Sequence, residues 1–327
     1  MIDFDQLGCT SSVRKAFKPY EKSCTLGRVV SLDRGYPLVN NGAGEFRAEL
    51  ATTIKKRDDS IVAVGDWVAL RLESGHEKAI IQEVLPRATE IARIKRVGRE
   101  KQVRRQVLAA NVDVVFICQS LTGSGLDERL LMRQMVAVCG CKATPVFVLT
   151  KCDDVEQTVV NDARERCAEL APNIALVCLA QVPADACPEG VQTPKALRQF
   201  LPAGSTALLL GESGVGKSTL TNALVGEEVF ATGSVRERDD KGRHTTVARR
   251  MVQVPGAGLL IDAPGLRTMQ ILDLETGLSR AFPEIGEYAQ QCRFANCSHT
   301  SEPGCEVREH VLPDRLNVYL HLSENRL

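Results

Sequence analysis

No stretch of this 327-residue chain stays apolar for the roughly 18 residues that a membrane-crossing helix needs. The opening residues, MIDFDQLGCTSSVRK, lack the apolar core of a secretory signal. The two absences predict a cytoplasmic protein with no membrane partner. Net charge is missing too. The 41 Lys and Arg balance 41 Asp and Glu, which excludes a surface coated in basic charge but leaves room for local patches. The chain has no internal repeat and no low-complexity tract, so solenoids and disordered tails are excluded as its main architecture.

What remains is an ordinary globular mixture, 44% hydrophobic and 25% charged, with length for two or three domains. Twelve cysteines would signal disulfides in a small secreted chain. Without an export signal they point instead to reduced thiols and metal ligation. Cys118, Cys139, Cys141, Cys167 and Cys178 lie in apolar segments and read as small core hydrophobes. Two basic stretches, RIKRVGREKQVRR (93–105) and RERDDKGRHTTVARR (236–250), are either solvated segments or phosphate contacts.

Three regions follow one another. From about 24 to 90, LGRVVSL, GEFRAELATTI, VAVGDWVALRL and KAIIQEVLP alternate apolar and polar between Gly-rich or charged turns. Short strands at this spacing suggest a small closed barrel such as an OB-fold, or another small β-domain. From about 107 to 270, apolar strand-length runs (VDVVFIC, TPVFVLT, IALVCLA, TALLLG, GLLIDAPG) alternate with helix-length segments. That is the pattern of a doubly wound parallel α/β sheet. The rest is polar and cysteine-bearing, and ends in an expected helix, DRLNVYLHLSEN. The expected domains are 1–90, 91–280 and 281–327.

GESGVGKST (211–219) fits G-x-x-x-x-G-K-[ST] between a strand and a helix. Gly211, Glu212, Ser213, Gly214, Val215, Gly216, Lys217, Ser218 and Thr219 are therefore expected to cradle phosphates with backbone N–H groups. Lys217 would reach the β- and γ-phosphates, and Ser218 would place its hydroxyl on Mg²⁺. Asp262, at the end of LLID, is expected to hold Mg²⁺ through water. Gly265 would offer its N–H to the γ-phosphate. Between these elements, Thr245 or Thr246 is the candidate to complete the Mg²⁺ shell.

The base is read, on this pattern, by VFVLTKCDD (146–154). Thr150, Lys151 and Asp153 end an apolar strand. The Asp153 carboxylate can accept from guanine N1–H and the N2 amine, a donor pair that adenine lacks, and the Lys151 stem can lie over the base. The next strand offers only Ala180 for the guanine oxygen, where a Ser-Ala pair is usual. Many GTPases carry a Gln after D-x-x-G to orient the attacking water. Here that position is Leu266, so slow intrinsic hydrolysis is expected and His244 is the candidate for the task. The base reader precedes the phosphate loop, which is the order of a circularly permuted G domain. Such rearrangement is tolerated because a site depends on spatial rather than chain order.

CRFANCSHTSEPGC supplies Cys292, Cys297, His299 and Cys305 within fourteen residues. Three thiolates and one imidazole at this spacing suit a closed, structural zinc site.

VGDWV, LAANVDVVF, TKCD, GESGVGKST, GRHTTVAR and HTSEPGC together make the chain resemble the ribosome small subunit-dependent GTPase A (RsgA/YjeQ) family, and the resemblance spans nearly its whole length. It implies a small β-barrel, a permuted P-loop GTPase domain and a zinc module with the same four ligands. It implies hydrolysis of GTP to GDP, stimulated by the small ribosomal subunit, in late maturation of that particle. It also implies Mg²⁺ with GTP, one structural zinc, rRNA contact by the barrel and zinc module, and a monomer. A nucleotide-regulated switch that recruits protein, and an ATP-dependent enzyme with an accidental TKCD, are the competing readings. GTP and GDP states are expected to differ at 231–250, at 263–285 and in the zinc module, with the barrel responding less.

Overall fold

Alternating side chains on short strands close the first part of the chain into a barrel. The computed structural model describes residues 3–33, 36–55, 62–72, 78–97, 102–228, 249–262 and 269–324. After helix α1 (Ser11–Phe17) come β1 (Thr25–Asp33), β2 (Tyr36–Asn40), β3 (Glu45–Leu50), the short α2 (Thr52–Lys55), β4 (Trp67–Arg71) and β5 (Ala79–Val84). The strands pair in the order β1-β2-β3-β5-β4, and β4 returns to β1. Val29, Val39, Ala48, Val68, Leu70 and Ile81 fill the interior. This is the five-stranded closed barrel that the alternation predicts.

VGDW makes the barrel's corner. Gly65 sits at φ +95, and a Cβ there would come within 2.0 Å of the Ala110 carbonyl oxygen. Asp66, fully buried, accepts the Ala63 N–H at 2.8 Å and a two-pronged contact from Arg87 at 2.7 and 2.8 Å. Burial pushes the Asp66 carboxyl upward, and Arg87 opposes it. Arg28, also buried, donates to the carbonyls of Leu7, Gly65 and Asn111 and lies over the Trp67 ring. Gly65→Ala combines a left-handed backbone with a hard clash. It is expected to lower stability by about 3 kcal/mol or more, measured as the shift of the thermal unfolding midpoint, whereas Gly44→Ala, whose nearest neighbour is Phe46 at 3.8 Å, should cost far less.

The described residues of the basic stretch 93–105 lie in a two-stranded antiparallel ribbon of β6 (Glu90–Val97) and β7 (Gln102–Ala110), which pairs Arg93 with Gln106 and Lys95 with Arg104. Next come β8 (Val114–Ser120), α3 (Glu128–Gly140), β9 (Thr144–Thr150), α4 (Gln157–Leu170), β10 (Ala175–Cys178), β11 (Thr206–Leu210), α5 (Lys217–Val225), β12 (Arg249–Gln253) and β13 (Leu259–Asp262).

The chain divides into two compact units, 1–116 with 194–267, and 117–193 with 268–327. In the first, β11 pairs in parallel with β13, β13 pairs antiparallel with β12, and β12 pairs antiparallel with the barrel strand β1 through Ser31↔Arg250 and Leu32↔Arg249. The Ser31 hydroxyl adds a bond to the Arg249 carbonyl at 3.1 Å. The barrel is thus hydrogen-bonded to the strand that follows residues 236–248. The expectation that the barrel responds less to nucleotide is drawn from chain ends, and this pairing joins the barrel to that strand directly.

In the second unit, β9 and β10 pair in parallel with Leu149 opposite Cys178. The helices α6 (Leu274–Ala281), α7 (Pro283–Ala289), α8 (Glu306–His310) and α9 (Pro313–Glu324) complete it. Asp127 and Asp273 cap α3 and α6 by accepting the N–H groups of Leu130 and Thr276, each at 3.0 Å. Those two helices cross closely at glycines. A Cβ on Gly140 would lie 2.5 Å from the Asp273 carbonyl oxygen, and one on Gly277 would lie 2.6 Å from that of Val136. Arg315, buried in α9, donates to Glu284, Leu170 and Ala281 and stacks on Phe282, tying α9 to α4 and α7. Of the cysteines expected in the core, Cys118, Cys139, Cys167 and Cys178 are buried. Cys141 is only half-buried because it caps the end of α3. No helix among the described residues is long and apolar enough to cross a membrane.

Candidate nucleotide site and metal centre

β11 is buried along its length and delivers the chain to Gly211. The loop then turns through Gly214 (φ +85) and Gly216 (φ +96), left-handed positions that suit glycine. Buried Val215 pins the loop between exposed Gly214 and half-buried Gly216. Gly216 begins α5 with no side-chain cap, the arrangement in which a helix N-terminus suits an anion. Lys217 folds back over the loop, its Nζ donating to the carbonyls of Gly211 at 2.7 Å and Glu212 at 2.6 Å. An arriving phosphate would offer this ammonium a charged partner in place of two neutral ones. Ser218 and Thr219, half-buried, share the first turn of α5, while Glu212 and Ser213 are exposed. The register Leu208↔Ile261 brings buried Asp262 to the end of the strand beside the one that feeds the loop. Thr245, Thr246, His244, Gly265 and Leu266 lie outside the described residues.

In the second unit, β9 ends at Thr150, whose hydroxyl donates to the Gln119 carbonyl at 3.2 Å. Lys151 adopts φ +58, an uncommon left-handed turn for a residue with a side chain. The turn brings Cys152 back over β10, where its N–H donates to the Leu179 carbonyl at 3.1 Å. Asp153 follows, with Oδ2 accepting from the Gln181 N–H at 3.3 Å. Asp153 and Ala180 are thereby brought to one short stretch. The Ala180 N–H, however, is committed to the Gln192 carbonyl at 2.9 Å. The donor beside Asp153 is the Gln181 N–H, from a residue that the sequence pattern does not single out. A backbone donor carries no residue-type signal, so no sequence pattern would have found it.

The four metal candidates converge. The ligand atoms of Cys292, Cys297, His299 and Cys305 lie within 4.8 Å of one another. Cys292 Sγ stands 3.7 Å from His299 Nδ1 and 4.0 Å from Cys305 Sγ, and Cys305 Sγ stands 3.4 Å from that Nδ1. Ligands about 2.3 Å from a tetrahedral zinc are spaced about 3.7 Å apart, so the group fits that ion. The connecting loop is shaped for convergence. His299 takes φ +61 and Gly304 φ +70. The Glu302 carboxylate accepts from Ser298 N at 2.8 Å, Ser298 Oγ at 2.6 Å and the N–H groups of Thr300 and Ser301. These donors, the Ser298 hydroxyl foremost, hold its pKa down to about 2.

A family model described as "RsgA GTPase" matches residues 84–272. The chain belongs to the RsgA GTPase family. Among curated relatives, "Small ribosomal subunit biogenesis GTPase RsgA" of Streptomyces avermitilis is 38% identical over 89% of this chain and 75% of its own. "Small ribosomal subunit biogenesis GTPase RsgA 2" of Lactiplantibacillus plantarum is 35% identical over 98% and 89%. Among solved structures, YjeQ from Thermotoga maritima superposes with a TM-score of 0.66 at 21% identity, covering 92% of this chain and 98% of that one. A second, titled as YloQ, a circularly permuted GTPase, gives 0.63 at 19%, covering 92% and 94%. The circularly permuted RsgA-type GTPase fold is therefore the fold of this chain.

Proposed function

We propose that this chain hydrolyses GTP to GDP and phosphate as a factor in late maturation of the small ribosomal subunit, stimulated by that subunit. The observation that carries the reading is a formed P-loop, with Lys217 and an uncapped α5 N-terminus, in a chain of this family. The relatives' names supply the ribosomal context. The alternative of a switch that recruits protein has no observation in its favour.

In this reading the loop 211–219 holds the phosphates, Lys217 neutralises charge on the β- and γ-oxygens, and Ser218 and Asp262 hold Mg²⁺, which supplies further charge neutralisation when bound. Gly265 senses the γ-phosphate, and Thr245 or Thr246 completes the Mg²⁺ shell. Thr150, Lys151 and Asp153 read guanine. The contact to the guanine oxygen is assigned to the stretch that carries Ala180, beside the Gln181 N–H that donates to Asp153. The Cys₃His group holds one structural zinc. The working division is 1–90, 91–280 and 281–327, in a cytoplasmic monomer.

Charge supports rRNA contact by one unit in particular. Residues 117–193 and 268–327 hold 11 of the 41 Lys and Arg but 19 of the 41 Asp and Glu, which leaves 30 and 22 for the unit with the barrel and the β6–β7 ribbon. The neutral chain is polarised, +8 against −8. Phosphate contacts belong to the basic unit, and subunit binding should weaken steeply with salt.

The direct test is GTP turnover with and without purified small subunits. Strong stimulation is expected, and equal rates would overturn the proposal. Because Leu266 cannot hydrogen-bond water, intrinsic turnover should be slow. His244→Ala should cut subunit-stimulated turnover by about 10²-fold or more, the scale of a lost proton-transfer or water-positioning group, with nucleotide affinity unchanged. Untouched stimulated turnover would move the task to another residue.

A further inference from the structure

We propose that Gln119 is a positioning residue for guanine selectivity. Its side chain closes the loop 120–127, and that loop holds the base-reading turn at Thr150 and Lys151. The proposal rests on the guanine-reading role given above to Asp153.

Gln119 lies one residue before the end of β8 and is 7% exposed. Its amide makes two bonds to the backbone of a single residue. Nε2 donates to the Asp127 carbonyl at 3.0 Å, and Oε1 accepts the Asp127 N–H at 3.0 Å. A neutral side chain that donates and accepts in one plane is an amide, and Asn is one methylene shorter. The two bonds join the ends of a loop that turns through Gly123 (φ +80) and Gly125 (φ +73). Asp127 also caps α3 through the Leu130 N–H, so the loop is closed where the helix starts.

The closed loop grips the end of β9. Leu121, buried within it, donates its N–H to the Thr150 carbonyl at 3.1 Å. The Gln119 carbonyl accepts the Thr150 hydroxyl at 3.2 Å. Thr150 is thus held at both its hydroxyl and its carbonyl by residues 119–121. It immediately precedes Lys151, whose φ of +58 is a conformation that persists only where its surroundings over-determine it. On the other side of Lys151, the Leu179 carbonyl holds the Cys152 N–H, and the Gln181 N–H holds Asp153 Oδ2. The turn that presents the Asp153 carboxylate is therefore fixed before Lys151 by the Gln119 loop and after it by the end of β10.

The consequence falls on base choice. Hypoxanthine is guanine without the N2 amine. Only guanine can give Asp153 a second hydrogen bond, and that bond depends on the aim of the carboxylate as well as its nearness. A hydrogen bond to an ionised group is worth about tenfold or more in affinity. With the loop open, Asp153 keeps its charge and loses its aim. Guanine then loses more than hypoxanthine does.

The test measures GDP and inosine diphosphate affinity for the full-length, zinc-loaded protein, for Gln119→Leu and for Thr150→Val. Gln119→Leu removes both bonds to Asp127, and Thr150→Val removes only the hydroxyl tie. Wild type should prefer GDP by about tenfold or more. Gln119→Leu should bring the two affinities close to equality, and Thr150→Val should move the ratio the same way by less. A residue that serves only the fold would lower the thermal unfolding midpoint and leave the ratio at its wild-type value. That result in both variants overturns the proposal. If Gln119→Leu does not fold, Thr150→Val decides alone, and an unchanged ratio in it overturns the proposal. Equal affinities in wild type would overturn the guanine reading of Asp153 itself, and the positioning role with it. That result is distinct from a wild-type preference that survives both substitutions.

Discussion

Cys297→Ala is expected to release the metal and unfold the loop and helices around it, while GTP and GDP binding survive. Structural zinc contributes about 10–16 kcal/mol of apparent binding energy in small finger modules, more than the whole stability of many domains. The region from 290 to 312 has little else to hold it. Its buried residues are few, Cys305, Val307 and Val311, and His299 occupies a left-handed backbone position that the convergence of ligands must sustain. Beyond it, α9 should persist, because Arg315 is tied to Glu284, Leu170 and Ala281. Elemental analysis should find one zinc per wild-type chain and none in the variant. Hydrogen exchange should show protection lost from 290–312 and retained in β11 and α5. A metal-free protein with full protection in this region would show that the cysteines are not a structural zinc site.

The second large effect is on base choice. Asp153→Asn exchanges a double acceptor for an amide that presents a donor to guanine's own donors. Two charge-assisted bonds are lost, each worth about 1.5–3 kcal/mol, so GTP affinity should fall by about 10²-fold or more. Xanthine carries an oxygen where guanine carries the amine, and the substituted amide can donate to it, so xanthosine triphosphate should bind the variant better than wild type. Competition with ATP gives the baseline, since adenine lacks the donor pair that Asp153 reads. Unchanged GTP affinity would remove Asp153 from the base site.

Much of this molecule is local and therefore legible in one dimension. A P-loop is nine consecutive residues whose glycines dictate the turn, so 211–219 could be read directly, and Gly214 and Gly216 take the left-handed angles that the motif needs. The four candidate metal ligands span fourteen residues, and the loop between them is too short to hold them far apart. Alternation of apolar residues announced the barrel, because a strand's side chains must alternate between core and solvent. The permuted order of base reader and phosphate loop is chain order itself.

What tertiary structure decided is what joins residues far apart. Nothing in 249–253 says that it pairs with 25–33, since edge hydrogen bonds come from backbone atoms common to every residue. Yet that pairing ties the barrel to the nucleotide-binding sheet. The basic run 93–105 carried its charge openly, but its ribbon depends on pairing between two strands, neither stable alone. Gly65 and Gly277 look like any glycine until a second backbone is found 2.0 Å and 2.6 Å from where their Cβ would stand. Ala180 kept the expected residue type while its N–H was spent on Gln192, leaving Gln181 beside Asp153.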